Sequence, residues 1–162
     1  MLKPLEEGDL APEFEMPASG GKNVSLAEYR GKNLAIYFYP RDATPGCTKQ
    51  AEGFSALVDE FAACGTEILG VSADSVASHE KFIAKKGLTI SLASDEGTQV
   101  LEAYGVWGEK SMYGRKFMGI ERTTFLIAGD GKIARIWRKV KVPGHMDEVL
   151  AAARALVGAH GS

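Results

Sequence analysis

Two nearly uninterrupted apolar runs constrain this chain more than any other feature: Leu34-Ala35-Ile36-Tyr37-Phe38-Tyr39, and Ile68-Leu69-Gly70-Val71 within Glu67–Ser72. Neither alternates with polar residues, so each suits a strand buried on both faces. Pro40 ends the first run, because it cannot donate to a sheet ladder. Between the runs a helical pattern extends from about Pro45 to Cys64, with Phe54, Leu57, Val58, Phe61 and Ala62 at helical spacing and Gly65 as its stop. A strand covered on both faces needs layers on both sides of its sheet.

The remaining elements keep this rhythm. Phe14-Glu15-Met16 and Val24-Ser25-Leu26 around Gly20-Gly21 read as an N-terminal hairpin. Ser78 to Lys86 reads as a helix before Gly87, Thr89 to Leu92 as a short strand and Gln99 to Tyr104 as a short helix. Thr123 to Ala128 and Lys132 to Arg138 form strands joined through Asp130-Gly131, and His145 to Val157 a closing amphipathic helix. The predicted class is α/β, a mixed central sheet flanked by helices, in a single domain over residues 1–162.

Composition excludes more than it selects. With 45% hydrophobic and 25% charged residues and a net charge of −2, the chain has no global pull toward nucleic acid or anionic membrane. No apolar run suits a signal peptide or a membrane span. Two cysteines cannot build a disulfide framework, so a cytoplasmic protein is expected.

One of those cysteines has a shaped setting. In Pro40-Arg41-Asp42-Ala43-Thr44-Pro45-Gly46-Cys47, Thr44 takes the N-cap position of the predicted helix and Pro45 its first turn. Cys47 follows three residues after the cap, where a capping box would hold Glu or Gln. Its sulfur would meet unpaired backbone N–H groups and the positive end of the helix dipole, both of which favour a thiolate. The alternative is a small buried core cysteine sharing a face with Phe54.

At these residues the chain resembles the peroxiredoxins. Residues 40–47 fit their PxxxTxxC signature. The wider stretch TPGCTKQAEGF, with YGVW at 104–107, KSMYGRKFMGIERTTFLI at 110–127 and Gly144-His145, resembles the branch called bacterioferritin comigratory protein or peroxiredoxin Q. The resemblance implies a thioredoxin-like fold, a monomer, and reduction of hydrogen peroxide and organic hydroperoxides without metal or flavin. It casts Cys47 as the peroxide-attacking nucleophile, with Thr44 bonded to the sulfur and the peroxide and Pro40 shielding the pocket from water. It makes Arg122 the active-site arginine, whose fixed guanidinium would stabilise the thiolate and the leaving oxygen. Gln50 would link to that arginine, the N–H groups of Gly46 and Cys47 would bind the peroxide oxygen, and Trp107 would line the site. Read without the resemblance, Arg122 is a solvated charge, Gln50 an exposed helix residue and Trp107 a core tryptophan.

The chain departs from the branch at the step that regenerates the thiol. Many members carry a resolving cysteine five residues after the nucleophile, where this chain has Glu52; others are expected to carry it near Gln99–Tyr104, where there is none. Cys64 lies 17 residues after Cys47. One straight helix would hold them about 25 Å apart, against the ~7 Å between Cα atoms that a disulfide allows. Cys64 therefore reads as a buried structural thiol. A one-cysteine mechanism is expected, with thioredoxin, a glutaredoxin or glutathione as the outside reductant.

Other readings compete. Residues 113–141 hold eight Lys or Arg against two Asp or Glu, with Tyr113, Phe117 and Trp137 among them. That pattern suits either nucleic acid or a charged, solvated strand edge, and the edge is the expected one. A cysteine hydrolase would need a histidine base; His79 reads as lying on a surface helix, and neither His145 nor His160 stands in a hydrolase context. No Cys/His spacing suggests a metal. A redox sensor or chaperone without turnover would use the same Cys47 chemistry.

Overall fold

The computed structural model describes residues 4–159. The elements in chain order are β1 (Glu15–Ala18), β2 (Lys22–Ser25), β3 (Asn33–Phe38), α1 (Pro45–Ala56), α2 (Val58–Ala63), β4 (Thr66–Ser72), α3 (Val76–Lys86) and β5 (Ser91–Ser94). They continue with α4 (Gln99–Ala103), β6 (Trp107–Met112), β7 (Arg115–Ile120), β8 (Thr123–Ile127), β9 (Ile133–Trp137) and α5 (His145–Ala159). Seven strands form one sheet in the order β2-β1-β5-β4-β3-β8-β9. The two apolar runs lie side by side and parallel as β3 and β4, near its centre, while β8 joins β3 antiparallel. The mixed sheet and the N-terminal hairpin are as the sequence predicts.

The period of two along β3 sorts the core. Leu34, Ile36 and Phe38 face one cluster with Phe125, Leu101 and Tyr104. Ala35, Tyr37 and Tyr39 face the other with Cys47, Phe54, Phe61, Phe82 and Val149. So α1, α2, α3 and α5 cover one face, and α4 with the N-terminal arm covers the other. This is the thioredoxin-like arrangement, with the buried strands sandwiched as their lack of alternation requires.

Four expectations change. The single helix from Pro45 to Cys64 is two helices, broken at Leu57 (φ −102°, ψ 4°). The break lets α1 contact α5 while α2 contacts both β4 and α5, so the straight-helix separation of the two cysteines does not apply. The strand placed at Thr89–Leu92 is shifted to Ser91–Ser94, in register with β4. Residues 107–120, unassigned in the sequence, form a two-stranded hairpin apart from the main sheet. Its turn, Tyr113-Gly114, has φ of 52° and 77°, the paired positive angles that a two-residue hairpin turn demands. Finally, His79 is not on a surface face: it is fully buried on the inner side of α3. His160 lies outside the described residues.

The basic stretch runs through β9, one edge strand of the sheet, and the segment after it. There Arg135 sits over the Trp137 ring, 4.7 Å from its centroid, and pairs with Glu7 at 3.8 Å. Arg138 donates to the Leu5 carbonyl at 2.7 Å. These arginines clip the N-terminal arm along the sheet edge.

Candidate active site

The site begins where β3 runs out. Tyr39 is still buried, Pro40 and Arg41 are exposed, and the chain turns through Ala43 into α1. Ala43 has φ 64°, a left-handed conformation that costs a residue with a Cβ about 1 kcal/mol or more. Thr44 is extended (φ −78°, ψ 154°) and Pro45 opens the helix, as the sequence predicts. The first helical bond runs from Thr48 N–H to the Thr44 carbonyl at 2.8 Å. The N–H groups of Gly46 and Cys47 therefore precede the ladder and have no partner within the helix.

Cys47 stands in this first turn with 1% of its surface exposed, on the core face of α1. Arg122 reaches it from the segment between β7 and β8. Its Nη2 donates to the Cys47 Sγ at 3.3 Å, and its Nη1 donates to Gln50 Oε1 at 2.6 Å. Two backbone bonds frame Arg122: Glu121 N–H to the Val106 carbonyl at 2.8 Å, and Val140 N–H to the Arg122 carbonyl at 2.9 Å. Gly46 leaves room for the guanidinium, because a Cβ there would lie 3.2 Å from Nη2. Gln50 is fully buried, one turn after Cys47. A guanidinium only donates, so the amide must turn its oxygen toward Arg122, and this leaves Gln50 Nε2 without a partner. The Tyr37 hydroxyl on the same face is also without one. Burial, reinforced by Cys47 and Asp42, pushes the Tyr37 pKa far up, so it remains a phenol.

His145 closes the site from the start of α5. Its Nε2 lies 2.8 Å from the Thr124 hydroxyl, and its ring packs edge-on to Phe54 and Trp137. Burial, and then the Arg122 charge, lower its pKa to about 4, so the ring is neutral at pH 7. It is a neutral packing partner rather than a base aimed at the thiol.

The structure thus brings together Cys47, Arg122, Gln50 and Gly46, and places Thr44 beside them. Gln50 is a buried partner of the arginine rather than an exposed residue. Two expectations differ in detail. Thr44 Oγ1 donates to the Arg41 carbonyl at 2.9 Å and caps neither the helix nor the sulfur, the local turn offering it a nearer acceptor. Trp107 packs with the core on the opposite face of the sheet from Cys47.

Cys64 is half-exposed rather than buried. It caps the end of α2, its Sγ donating to the Phe61 carbonyl at 3.3 Å and lying 3.8 Å from Thr66 Oγ1. With Asn33, Gly129 and Leu156 it lines a surface cleft of about 480 Å³. Both cysteines are free thiols. Among the described residues no cluster of His, Cys, Asp and Glu could hold a metal ion, and no helix is long and apolar enough to cross a membrane.

Sequence reasoning missed the polar network behind the loop. Asp42 Oδ1 accepts from Tyr39 at 2.6 Å, and Oδ2 accepts from Ser78 at 2.7 Å and faces His79 Nδ1 at 2.7 Å. Burial by itself would raise the Asp42 pKa; the bonds from His79, Tyr39 and Ser78 and the His79 charge outweigh it and hold the pKa below its usual value. Only the position of Asp42 inside the cysteine loop pointed to it.

A buried thiol at a helix N-terminus, held under a guanidinium in a thioredoxin-like sandwich, defines a protein of thiol redox chemistry. Residues 8–136 match the AhpC/TSA family, and the chain belongs to it, in the branch of peroxiredoxin Bcp and peroxiredoxin Q. It is 49% identical over 147 residues to peroxiredoxin Bcp of Xanthomonas campestris pv. campestris, covering 90% of this chain and 92% of that one. Among solved structures it is similar to Xylella fastidiosa PrxQ, a mutant form, with TM-score 0.90, 39% identity, and 95% and 98% of the two chains covered. It is also similar to the Xanthomonas campestris bacterioferritin comigratory protein, whose structure concerns alkyl peroxide reduction, with TM-score 0.85, 47% identity, and 89% and 92% covered.

Proposed function

We propose that this chain is a thiol-dependent peroxidase that reduces hydrogen peroxide and organic hydroperoxides through Cys47 alone, with an outside thiol completing the cycle. The observation that carries the reading is the Arg122 guanidinium bridging the Cys47 Sγ and Gln50 Oε1 at the start of α1. Negative charge on sulfur is favoured there by Arg122 and by the helix N-terminus.

In the first step the Cys47 thiolate attacks a peroxide oxygen. The S–O bond forms and the O–O bond breaks; the leaving hydroxide or alkoxide takes up a proton as water or alcohol. Sulfur is oxidised by two electrons to a sulfenic acid and the peroxide is reduced by two. Arg122 and the free N–H groups of Gly46 and Cys47 are placed to stabilise charge on the oxygens as they separate. In the second step an outside thiolate attacks the sulfenic sulfur. An S–S bond forms, the S–O bond breaks, and the oxygen leaves as water once protonated. A second thiol displaces Cys47 from the mixed disulfide and restores its thiolate.

The absence of a suitable internal thiol supports the one-cysteine cycle. Xanthomonas campestris peroxiredoxin Q has been solved with either of two cysteines replaced by serine. Those two cysteines lie 36 positions apart, and the same separation carried forward from Cys47 reaches Ile83, half-buried on α3, rather than the Gln99–Tyr104 helix. Cys64 caps the far end of α2 from the reacting sulfur. In this reading the protein works as a monomer in the cytoplasm, where thioredoxin, glutaredoxins and glutathione are kept reduced.

The test is the intact mass of the reduced protein after one equivalent of hydrogen peroxide, without added thiol. A gain of one or two oxygens mapped to Cys47, followed by peroxide turnover on adding thioredoxin or glutathione with its reductase, supports the reading. Loss of two hydrogens with a Cys47–Cys64 disulfide overturns the one-cysteine cycle, as does mostly covalent dimer on a non-reducing gel. Oxidation without turnover by any thiol leaves a sensor or chaperone.

A further inference from the structure

The burial of Cys47 sets a problem that its own contacts do not solve. Cys47 is 1% exposed, so in this conformation glutathione or a protein thiol does not reach its sulfur. With the loop before α1 in place Cys47 lies under Arg122, the arrangement the first step of the proposed cycle uses, and the loop must withdraw for the second.

The side chain that ties this loop to the elements behind it is Asp42. Pro40, Arg41, Ala43 and Pro45 are all exposed. Between them the Asp42 side chain is 5% exposed and faces a His79 side chain that is 0% exposed. The His79 ring is held on both sides, since Nε2 lies 2.9 Å from the Ala93 carbonyl of β5. A carbonyl only accepts, so Nε2 carries a hydrogen toward Ala93, and Nδ1 is left to face Asp42 Oδ2 at 2.7 Å. The loop backbone is tied as well: Asp42 N–H donates to Asp74 Oδ2 at 2.7 Å, and that oxygen also accepts from Ser72 at 2.8 Å. Against this anchor works the left-handed conformation of Ala43, the next residue. An alanine adopts it only when its neighbours hold it there. Anchor and strain act in opposite directions on the same short segment.

We propose that Asp42 and His79 are positioning residues that latch the 40–44 loop to α3 and β5, and so set the balance between attack on peroxide and reduction by an outside thiol. The proposal rests on the peroxidase reading. With the latch closed, Cys47 stays under Arg122. With it open, Ala43 relaxes, the first turn of α1 loosens and the oxidised sulfur becomes accessible.

The experiment compares wild type with His79→Gln and Asp42→Asn in three measurements. These are the rate of Cys47 oxidation by hydrogen peroxide, the rate at which glutathione removes the sulfenic acid, and amide hydrogen exchange over residues 44–50. Each variant is expected to slow oxidation about tenfold, the scale of one lost buried charged hydrogen bond. Each should also speed the glutathione step several-fold and raise exchange over residues 44–50 while β3 and β4 stay protected. This opposed change in two half-reactions is what a merely structural role would not produce. Ala43→Asn, which accepts the left-handed conformation more readily at an exposed position, is expected to do the reverse and slow the glutathione step. It tests the latch even where the network variants fold poorly. Half-reactions that both stay unchanged, or that fall together, overturn the latch, as does a glutathione step that Ala43→Asn does not slow. A wild type that does not react with peroxide overturns the peroxidase reading instead, and the role of the pair with it.

Discussion

Cys47 and Cys64 are the same side chain at the two ends of the α1–α2 pair, and the backbone treats them in opposite ways. Cys47 sits among N–H groups that no carbonyl claims, with Arg122 donating to its sulfur at 3.3 Å. Cys64 sits where the helix presents carbonyls, and its sulfur donates to Phe61 at 3.3 Å. A helix start favours negative charge and a helix end disfavours it. The more buried thiol is thus the one equipped to react, while the half-exposed one has its hydrogen occupied. Exposure alone would have ranked them the other way.

The largest expected effect tests the contrast directly. Cys47→Ser should lower the second-order rate with hydrogen peroxide by at least about a thousandfold, as expected for loss of a nucleophile, measured by competition against a peroxidase of known rate. Arg122→Lys keeps a charge but cannot bridge Sγ and Gln50, and should cost about a hundredfold in the same assay. A rate within a factor of two of wild type would mean that the helix start suffices without the fork.

Acid should weaken this region in two stages. The His145 pKa falls to about 4 in the folded chain, against the ordinary 6.5. Between those values the unfolded chain binds a proton that the folded chain refuses, so stability falls as pH drops from about 6.5 to about 4, by on the order of 3 kcal/mol. Asp42 is lowered instead, so its contribution is present above the ordinary carboxylate range and is lost as pH falls through its folded value. Urea melts at pH 7 and pH 4.5 should show the first stage in wild type and much less of it in His145→Gln.

A smaller change sharpens the geometry. Gly46→Ala places a Cβ 3.2 Å from Arg122 Nη2 and should displace the guanidinium, slowing peroxide reduction about tenfold with little change in melting temperature. Last, Cys64→Ser should leave the peroxide rate and the glutathione step unchanged and alter stability by less than about 0.5 kcal/mol, the range usual for partly exposed positions. A glutathione step that slows in Cys64→Ser would give Cys64 a part in resolution.

Much of this was legible in advance, for local reasons. The strands announced themselves because a strand buried on both faces needs an unbroken apolar run, as at residues 34–39. Pro45 marked the start of α1 because a helix start tolerates a missing N–H, and Thr44 marked the N-cap position although its hydroxyl bonds the Arg41 carbonyl and not the helix. Arg122 and Gln50 were reached only through the resemblance, since nothing local distinguishes them from solvated residues 72 positions apart. The break at Leu57 carries no glycine or proline, so no local signal marked it. The 107–120 hairpin did have one, the Tyr113-Gly114 turn, hidden among basic and aromatic residues that invited a different reading. His79 lies between Ser78 and Glu80, which reads as a wet helix face.

The sequence by itself determined the chain order of the seven sheet strands and of the helical segments between them, short of the break at Leu57, the placement of Cys47 in the first turn of a helix, and the presence of Cys64 as the one other cysteine. Those properties depend on hydrophobic period, on caps and on composition, all of which act over a few neighbours. Only the tertiary structure decided which charge meets the sulfur, which thiol is buried, and that Asp42 and His79 close over each other behind the loop. Each of these joins groups far apart along the chain, and each has an energy set by burial and by partners that exist only once the sheet has brought its two faces together.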